Sequence, residues 1–340
     1  MPRPRPQALL LDTDPGLDDA LALAVCSAGP EFNLVAACAV GGNVSLARTW
    51  TNLRGLLTLL GRGDCPCYRG REPRRGLHAP EVHGGDGLGG DAKRLPKPAP
   101  SGTPRNLSAL LERLAAQPDR SVAWLCVGPL TNAAALLRAD RALLRRKIGR
   151  LVVMGGALFD AGNVAPMIEF NTACDPGAAE AVLSSGLPQR WVPLDVTHRV
   201  TLTRQDARAL KALGTPRSRA LGRCVAALVE FQDRMGPAPA AGFDSTFPLN
   251  AANRPRGGCA FVHDALAAFA VARPGAFTWR TLPLRVVTRG EAAGMLLSDR
   301  RVSRRAARTG WPSVEVALEV DVRRAGAWIR ARLRQAAMEA

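Results

Sequence analysis

Residues 7–19 read QALLLDTDPGLDD, and this stretch decides the fold. Its first half is a short apolar run without helical spacing, which predicts a buried strand over residues 7–12. A Pro-Gly turn follows at Pro15-Gly16, and residues 18–27 are an apolar helix candidate that opens on two acids. Working outward, residues 33–40 predict a second apolar strand ended by Gly41-Gly42, and residues 45–60 a helix. A helix over 107–116 precedes a strand over 121–127, then Gly128-Pro129 and a helix from Thr131. Residues 151–154 predict a strand, 175–183 a helix with Asp at its N-cap and Pro at its first position, and 191–194 a short strand. Strands alternating with helices imply βαβ units. The expected fold is therefore α/β, an open, mostly parallel sheet flanked by helices with a Rossmann-like core.

The rhythm changes after residue 200. Helices are expected over 203–212 and 217–233, then a Gly/Pro-rich segment over 236–258, and a helix from about His263. Alternating runs at 282–287 and 314–320 predict strands, and 322–336 a closing helix. Residues 61–105 are rich in Gly, Pro and charge and predict a long loop region. No repeat or linker divides the chain, so residues 1–340 are expected to form a single domain, with residues 1–6 as a disordered basic, Pro-rich tail.

Composition excludes several classes. Of 340 residues 47% are hydrophobic and 22% charged, which rules out a wholly disordered or collagen-like chain. No apolar run approaches the roughly 18 residues of a membrane span. The opening Met-Pro-Arg-Pro-Arg-Pro leads into a strand without the apolar core of a signal peptide, so a cytoplasmic location is expected. The eight cysteines stand mostly in apolar runs, where a thiol acts as a small hydrophobe. Cys65-Pro-Cys67 lacks a second Cys/His pair and is a poor zinc motif. Formal net charge is +17, yet all but four of the 46 basic residues are Arg, scattered in short clusters. Aromatics are only 5%, leaving few stacking platforms, so no specific nucleic-acid partner is expected.

Function in such sheets gathers where strands end. The first strand runs into Asp12, Asp14, Asp18 and Asp19, four carboxylates within eight residues. They repel one another unless a cation or protons neutralise them. Oxygen-only ligands favour a hard ion, Ca²⁺ or Mg²⁺. An EF-hand does not fit, because the twelfth loop position is Leu23. Helix-dipole placement accounts for Asp18 and Asp19 but not for Asp12 and Asp14. Two further clues are His263-Asp264 at a helix start and Asn163…Glu169-Phe170-Asn171 in the loop after the 151–154 strand. Asn, Glu and Asn close together offer the hydrogen bonds that polyol recognition needs.

DTDPGLDDALAL, from Asp12, resembles the N-terminal signature of the nucleoside hydrolases, the inosine-uridine preferring N-ribohydrolases. GGN at 41–43, VHGGDGL at 82–88, VGPLTNAA at 127–134, GNVAPMIEFNTACDPGAA at 162–179, PLDVTH at 193–198 and VHDALAA at 262–268 also resemble that family's blocks, in its order over nearly the whole chain. The resemblance implies a Ca²⁺ site held by Asp14, Asp19, Asp264 and the Val127 carbonyl, with Asp12 supporting the loop from behind. It implies hydrolysis of the N-glycosidic bond of a ribonucleoside to ribose and free base. By the same resemblance a Ca²⁺-bound water would give its proton to Asp14, and His263 would protonate the leaving base. Asp18 and Asn171 would grip the 2′- and 3′-hydroxyls, Asn163 and Glu169 the 5′-hydroxyl, and Asn43 would floor the ribose pocket. His83, Phe170 and Phe231 would face the rest of the nucleoside. His198 is expected to be structural and His78 solvated. The family resemblance also implies a homodimer or homotetramer. Family members often place Tyr over the base, whereas the single Tyr here, Tyr68, lies far from the matching segment at 230–235. Purine, pyrimidine, modified nucleoside and nucleotide substrates therefore stay open, as does a nucleoside-binding protein of the same fold without turnover. A haloacid-dehalogenase-like phosphatase is disfavoured, because Pro15-Gly16-Leu17 is not that family's continuation.

Overall fold

The computed structural model describes residues 6–98, 106–235, 257–299 and 310–338. Its strands are β1 (Gln7–Thr13), β2 (Phe32–Ala39), β3 (Cys67–Arg69), β4 (Val122–Cys126), β5 (Ile148–Met154), β6 (Gln189–Val192), β7 (Thr201–Thr203), β8 (Cys259–Phe261), β9 (Phe277–Val286), β10 (Leu296–Ser298) and β11 (Ser313–Val320). Among the described residues nine of these form one sheet in the order β10-β9-β11-β6-β5-β4-β1-β2-β3, while β7 and β8 pair separately. Every pairing from β11–β6 to β2–β3 is parallel; β9 with β11 and β10 with β9 are antiparallel.

The continuous apolar run of β1 follows from its burial on both faces. Side chains alternate along a strand. Leu9 and Leu11 accordingly enter one core and Leu10 the other. The first core packs α1 (Leu17–Ala28), α2 (Leu46–Leu59), α9 (Arg204–Lys211), α10 (Pro216–Met235), α11 (His263–Ala272) and α12 (Val322–Met338) against the sheet. The second is covered by α4 (Leu107–Ala115), α5 (Thr131–Lys147) and α7 (Pro176–Leu183). The expected α/β architecture is what the structure shows. No helix among the described residues is long and apolar enough to cross a membrane.

Three local expectations need correction. The 61–105 stretch is not all loop: it holds β3, which pairs with β2 as the edge of the sheet, and a single-turn helix α3 (Pro80–His83). The strand expected at 191–194 spans Gln189–Val192 instead, because Pro193 ends the ladder and α8 (Leu194–Thr197) begins beyond it. The segment Glu169-Phe170-Asn171 is not loop but the start of α6 (Phe170–Cys174). Residues 1–5 of the expected tail and 236–256 of the Gly/Pro-rich segment lie outside the described residues.

The sheet order places a switch point beside β1. The chain passes from β1 to β2 on one side, and β4 returns on the other. The crevice between the carboxyl ends of β1 and β4 is where open α/β sheets bind ligands. Asp14 leaves β1 there and Val127 leaves β4, and the Val127 N–H donates to the Asp12 carbonyl at 2.9 Å.

Asn132, at the start of α5 and wholly buried, ties these strands together. Its Nδ2 donates to Asp12 Oδ1 at 2.9 Å and to the Ala39 carbonyl at 3.1 Å, and its Oδ1 accepts from the Arg71 N–H at 2.9 Å. Burial pushes the Asp12 carboxyl up to about 7, opposed by the Asn132 bond. Asn132→Ala leaves a buried carboxyl and a backbone N–H without partners. It is expected to lose about 2–3 kcal/mol of stability in urea denaturation.

Candidate active site

The site grows from the turn after β1. Asp19 lies in the first turn of α1 and collects donors on both oxygens: the Thr13 hydroxyl and Asp14 N–H on Oδ1, and the Gly16 N–H and Asn43 Nδ2 on Oδ2. This locks the Asp14-Pro15-Gly16 turn. Asp14 Oδ2 accepts from the Asn43 N–H at 2.8 Å, while Asn43 Nδ2 also donates to the Asp14 carbonyl at 3.1 Å. The Asp14 carboxylate fits only because two glycines flank it. A Cβ on Gly42 would stand 2.1 Å from Oδ2, and one on Gly128 2.5 Å from Oδ1.

Asp18 reaches across to the far end of the chain. Its Oδ2 accepts from the His263 N–H at 2.9 Å and the Asp264 N–H at 3.2 Å, so it serves the open N-terminus of α11. Its Oδ1 is buried with no partner among the described residues. Asp264 stands one residue further on α11. Burial raises the carboxyls of Asp14, Asp18, Asp19 and Asp264 above the usual range, and mutual repulsion adds to this for Asp14, Asp18 and Asp264.

The opposite wall comes from the segment after β5. Glu169 caps α6: Oε1 accepts from the Asn171 N–H at 2.7 Å, and Oε2 from the Thr172 and Gly156 N–H groups at 3.0 Å each. Asn163 Oδ1 accepts from the Phe170 N–H at 2.9 Å. Asn171 Nδ2 donates to the Val127 carbonyl at 2.8 Å, which brings the ends of β4 and β5 to one point. These residues line a cleft of about 700 Å³ together with Asp14, Asp18, Asp19, Asn43 and Asp264. Asp12 lies beneath it, fully buried.

All four histidines of the chain line this same cleft. His83 Nδ1 accepts from the Leu17 N–H at 3.1 Å, and burial holds the ring down at about 4. His263 Nδ1 lies 2.8 Å from Thr197 Oγ1, and burial with the neighbouring His198 and His83 holds it at about 3. His198, read from sequence as structural, pairs through Nδ1 with Asp160 Oδ2 at 2.9 Å and lies beside His263 with ring centroids 5.6 Å apart. His78, expected to be merely solvated, bonds the Gly42 carbonyl at 2.8 Å. Phe170 and Phe231 also line the cleft. The structure thus brings every candidate lining residue together. Sequence reading missed the Asp160–His198 pair and Asn132; the only signal for His198 was its place in PLDVTH.

Among the described residues no three Asp, Glu, His or Cys side chains already converge as a preformed metal cage. The donor set nevertheless suits a hard cation. Five buried carboxylates share the cleft, one Asp18 oxygen is orphaned, and no Arg or Lys stands among the described lining residues.

Comparison with known proteins agrees with this geometry. A family model described as "Inosine-uridine preferring nucleoside hydrolase" matches residues 9–326. The chain is 40% identical over 240 residues, 69% of its own length and 72% of the relative's, to the pyrimidine-specific ribonucleoside hydrolase RihA of Shewanella sp. (strain MR-7). Its fold superposes on a purine-preferring ribonucleoside hydrolase from Gardnerella vaginalis with a TM-score of 0.82 and 26% identity, covering 97% of this chain and 99% of that one. A plant nucleoside hydrolase matches with a TM-score of 0.81 and 27% identity over 96% and 99%. The chain belongs to the inosine-uridine preferring nucleoside hydrolase family, and that membership supports ribonucleoside hydrolysis as its reaction class.

Gly42→Ala forces its Cβ into the Asp14 carboxylate. It is expected to cost about 1–3 kcal/mol in urea denaturation. Gly275→Ala, where nothing lies within 4 Å, is the matched control and is expected to be neutral.

Proposed function

We propose that the protein hydrolyses the N-glycosidic bond of ribonucleosides to ribose and free base, with Ca²⁺ held in the acidic cleft. The observation that carries this reading is five buried carboxylates in a cleft without a described Arg or Lys, in a chain whose net charge is +17. Asp14, Asp19, Asp264 and the Val127 carbonyl would hold the ion. Its chemistry there is to neutralise these charges and make a water it holds more acidic.

The protein's own groups do the rest. Asp14, fixed by Asn43 and the flanking glycines, takes the proton of the attacking water. The orphaned Asp18 oxygen accepts from a ribose hydroxyl, and Asn171 grips the neighbouring one. Glu169 and Asn163 receive the 5′-hydroxyl, and Asn43 closes the floor. C1′ develops oxocarbenium character as the base departs, and the surrounding carboxylates favour that positive charge. His83 and Phe231 border the base, and Phe170 lines the wall formed after β5. His263 is the acid that protonates the leaving base. A phosphate at the 5′ position would face Glu169 with no described lining cation, which favours nucleosides over nucleotides.

Ribose release from a panel of purine and pyrimidine nucleosides, before and after chelation with Ca²⁺ add-back, tests the reading. Chelator-sensitive release from some members is expected, and Asp14→Ala is expected to lower kcat by at least about 100-fold. The chelated protein is expected to gain thermal stability on Ca²⁺ addition, and Asp264→Asn to lose that gain. Ca²⁺-dependent stabilisation with no turnover of any nucleoside would favour a binder that has lost catalysis.

A further inference from the structure

The carboxyl ends of β4 and β5 meet at one side-chain amide. Asn171 Nδ2 donates to the Val127 carbonyl at 2.8 Å and lies 3.3 Å from the Met154 carbonyl and 3.5 Å from Met154 Sδ. All three neighbours are acceptors, which sets the amide with its nitrogen toward the strands and leaves Oδ1 to serve a sugar hydroxyl. Asn171, Val127 and Met154 are all buried. Asn171 is itself held from the other side. Its N–H donates to Glu169 Oε1 at 2.7 Å, and Glu169 is the cap of α6.

Val127 is pinned at both of its backbone groups. Its N–H donates to the Asp12 carbonyl at 2.9 Å, and its carbonyl accepts from Asn171. The next residue, Gly128, lies against the Asp14 carboxylate, since a Cβ there would stand 2.5 Å from Asp14 Oδ1. The Val127 carbonyl belongs to the peptide unit that leads into this contact. A carbonyl oxygen carries two lone pairs, so the Asn171 bond occupies one and leaves the other. Hydrogen bonds made to a ligand from behind fix its direction and strengthen its hold on a cation.

Building on the proposed Ca²⁺ site, we propose that Asn171 is a positioning residue for the cation: its amide holds the Val127 carbonyl so that the remaining lone pair faces the ion. Asparagine is the residue type that this place admits. An aspartate would set an oxygen against the Val127 carbonyl oxygen, and a leucine of similar size has no donor to give. The same amide meets the sugar through Oδ1, so one side chain serves the ion on its nitrogen side and a hydroxyl on its oxygen side. Its tie to Glu169 fixes this double contact to the start of α6.

The test is a calorimetric titration of the chelator-treated full chain with Ca²⁺ alone, without nucleoside. It compares the wild type with Asn171→Leu, Asn171→Ala and Thr172→Val. Thr172 is the next residue of α6, is buried, and its hydroxyl donates to the Glu169 carbonyl at 2.9 Å, with no hydrogen bond to Val127 among the described contacts. Its variant therefore reports a loss of α6 packing by itself. Both Asn171 variants are expected to bind Ca²⁺ about 10- to 100-fold more weakly, and Thr172→Val to stay within about threefold of wild type. Urea denaturation without Ca²⁺ reads folding separately, and the two Asn171 replacements differ in size so that one folded variant suffices. Asn171 variants within about threefold of wild type overturn the proposal. A loss in Thr172→Val equal to theirs also overturns it, because the effect then belongs to α6 packing. A wild type that takes up no Ca²⁺ overturns the Ca²⁺ reading itself, and this proposal with it.

Discussion

The structure depends on one electrostatic constraint: carboxylates crowded at the carboxyl end of a fully buried strand. Asp12 and Asp14 follow from β1 into a region removed from water, and Asp18, Asp19 and Asp264 join them there. Isolated, such charges would be too costly to bury. The surrounding backbone answers first. Asp19 takes N–H groups from its own turn, Asp18 takes the open N–H groups of α11, and Glu169 takes those of α6. Each acid therefore closes a helix start while staying at the cleft surface. Burial still raises the proton affinities of Asp14, Asp19 and Asp264 despite these bonds, so the cleft favours protons or a cation.

The sheet makes that crowding possible. Parallel strands bring their carboxyl ends to one edge, and the reversal of order beside β1 opens a crevice there. The two cores hold the strands rigidly, so groups from β1, β4, β5 and α11 meet with little freedom. Small residues are part of the same device. Gly42 and Gly128 let the main chain approach Asp14 closely, which no side chain would allow.

The charge distribution sharpens the chemical reading. A chain with a large positive excess keeps Arg and Lys out of the described lining of its main cleft and sends all four of its histidines into it. His78 and His83 lie beside the acidic turn, through the Gly42 carbonyl and the Leu17 N–H, while His263 and Asp264 stand next to each other at the start of α11.

The sequence by itself determined most of the sheet strands and most helices, because burial on two faces demands unbroken apolar runs and burial on one demands helical spacing. It also determined the acid-rich turn, since Asp12 and Asp14 have no reason to follow a buried strand unless chemistry needs them. Only the tertiary structure decided which distant groups meet. Asp18 and His263 are 245 residues apart in sequence yet share a hydrogen bond. Glu169 was legible as a polar residue in a motif but not as the cap of α6, because capping depends on where the helix begins. Edge strand β3 was hidden because three residues carry too little periodicity to be seen. His198 and Asp160 looked unremarkable because their pairing is a property of two loops brought together by β5 and β6, and no local pattern records it.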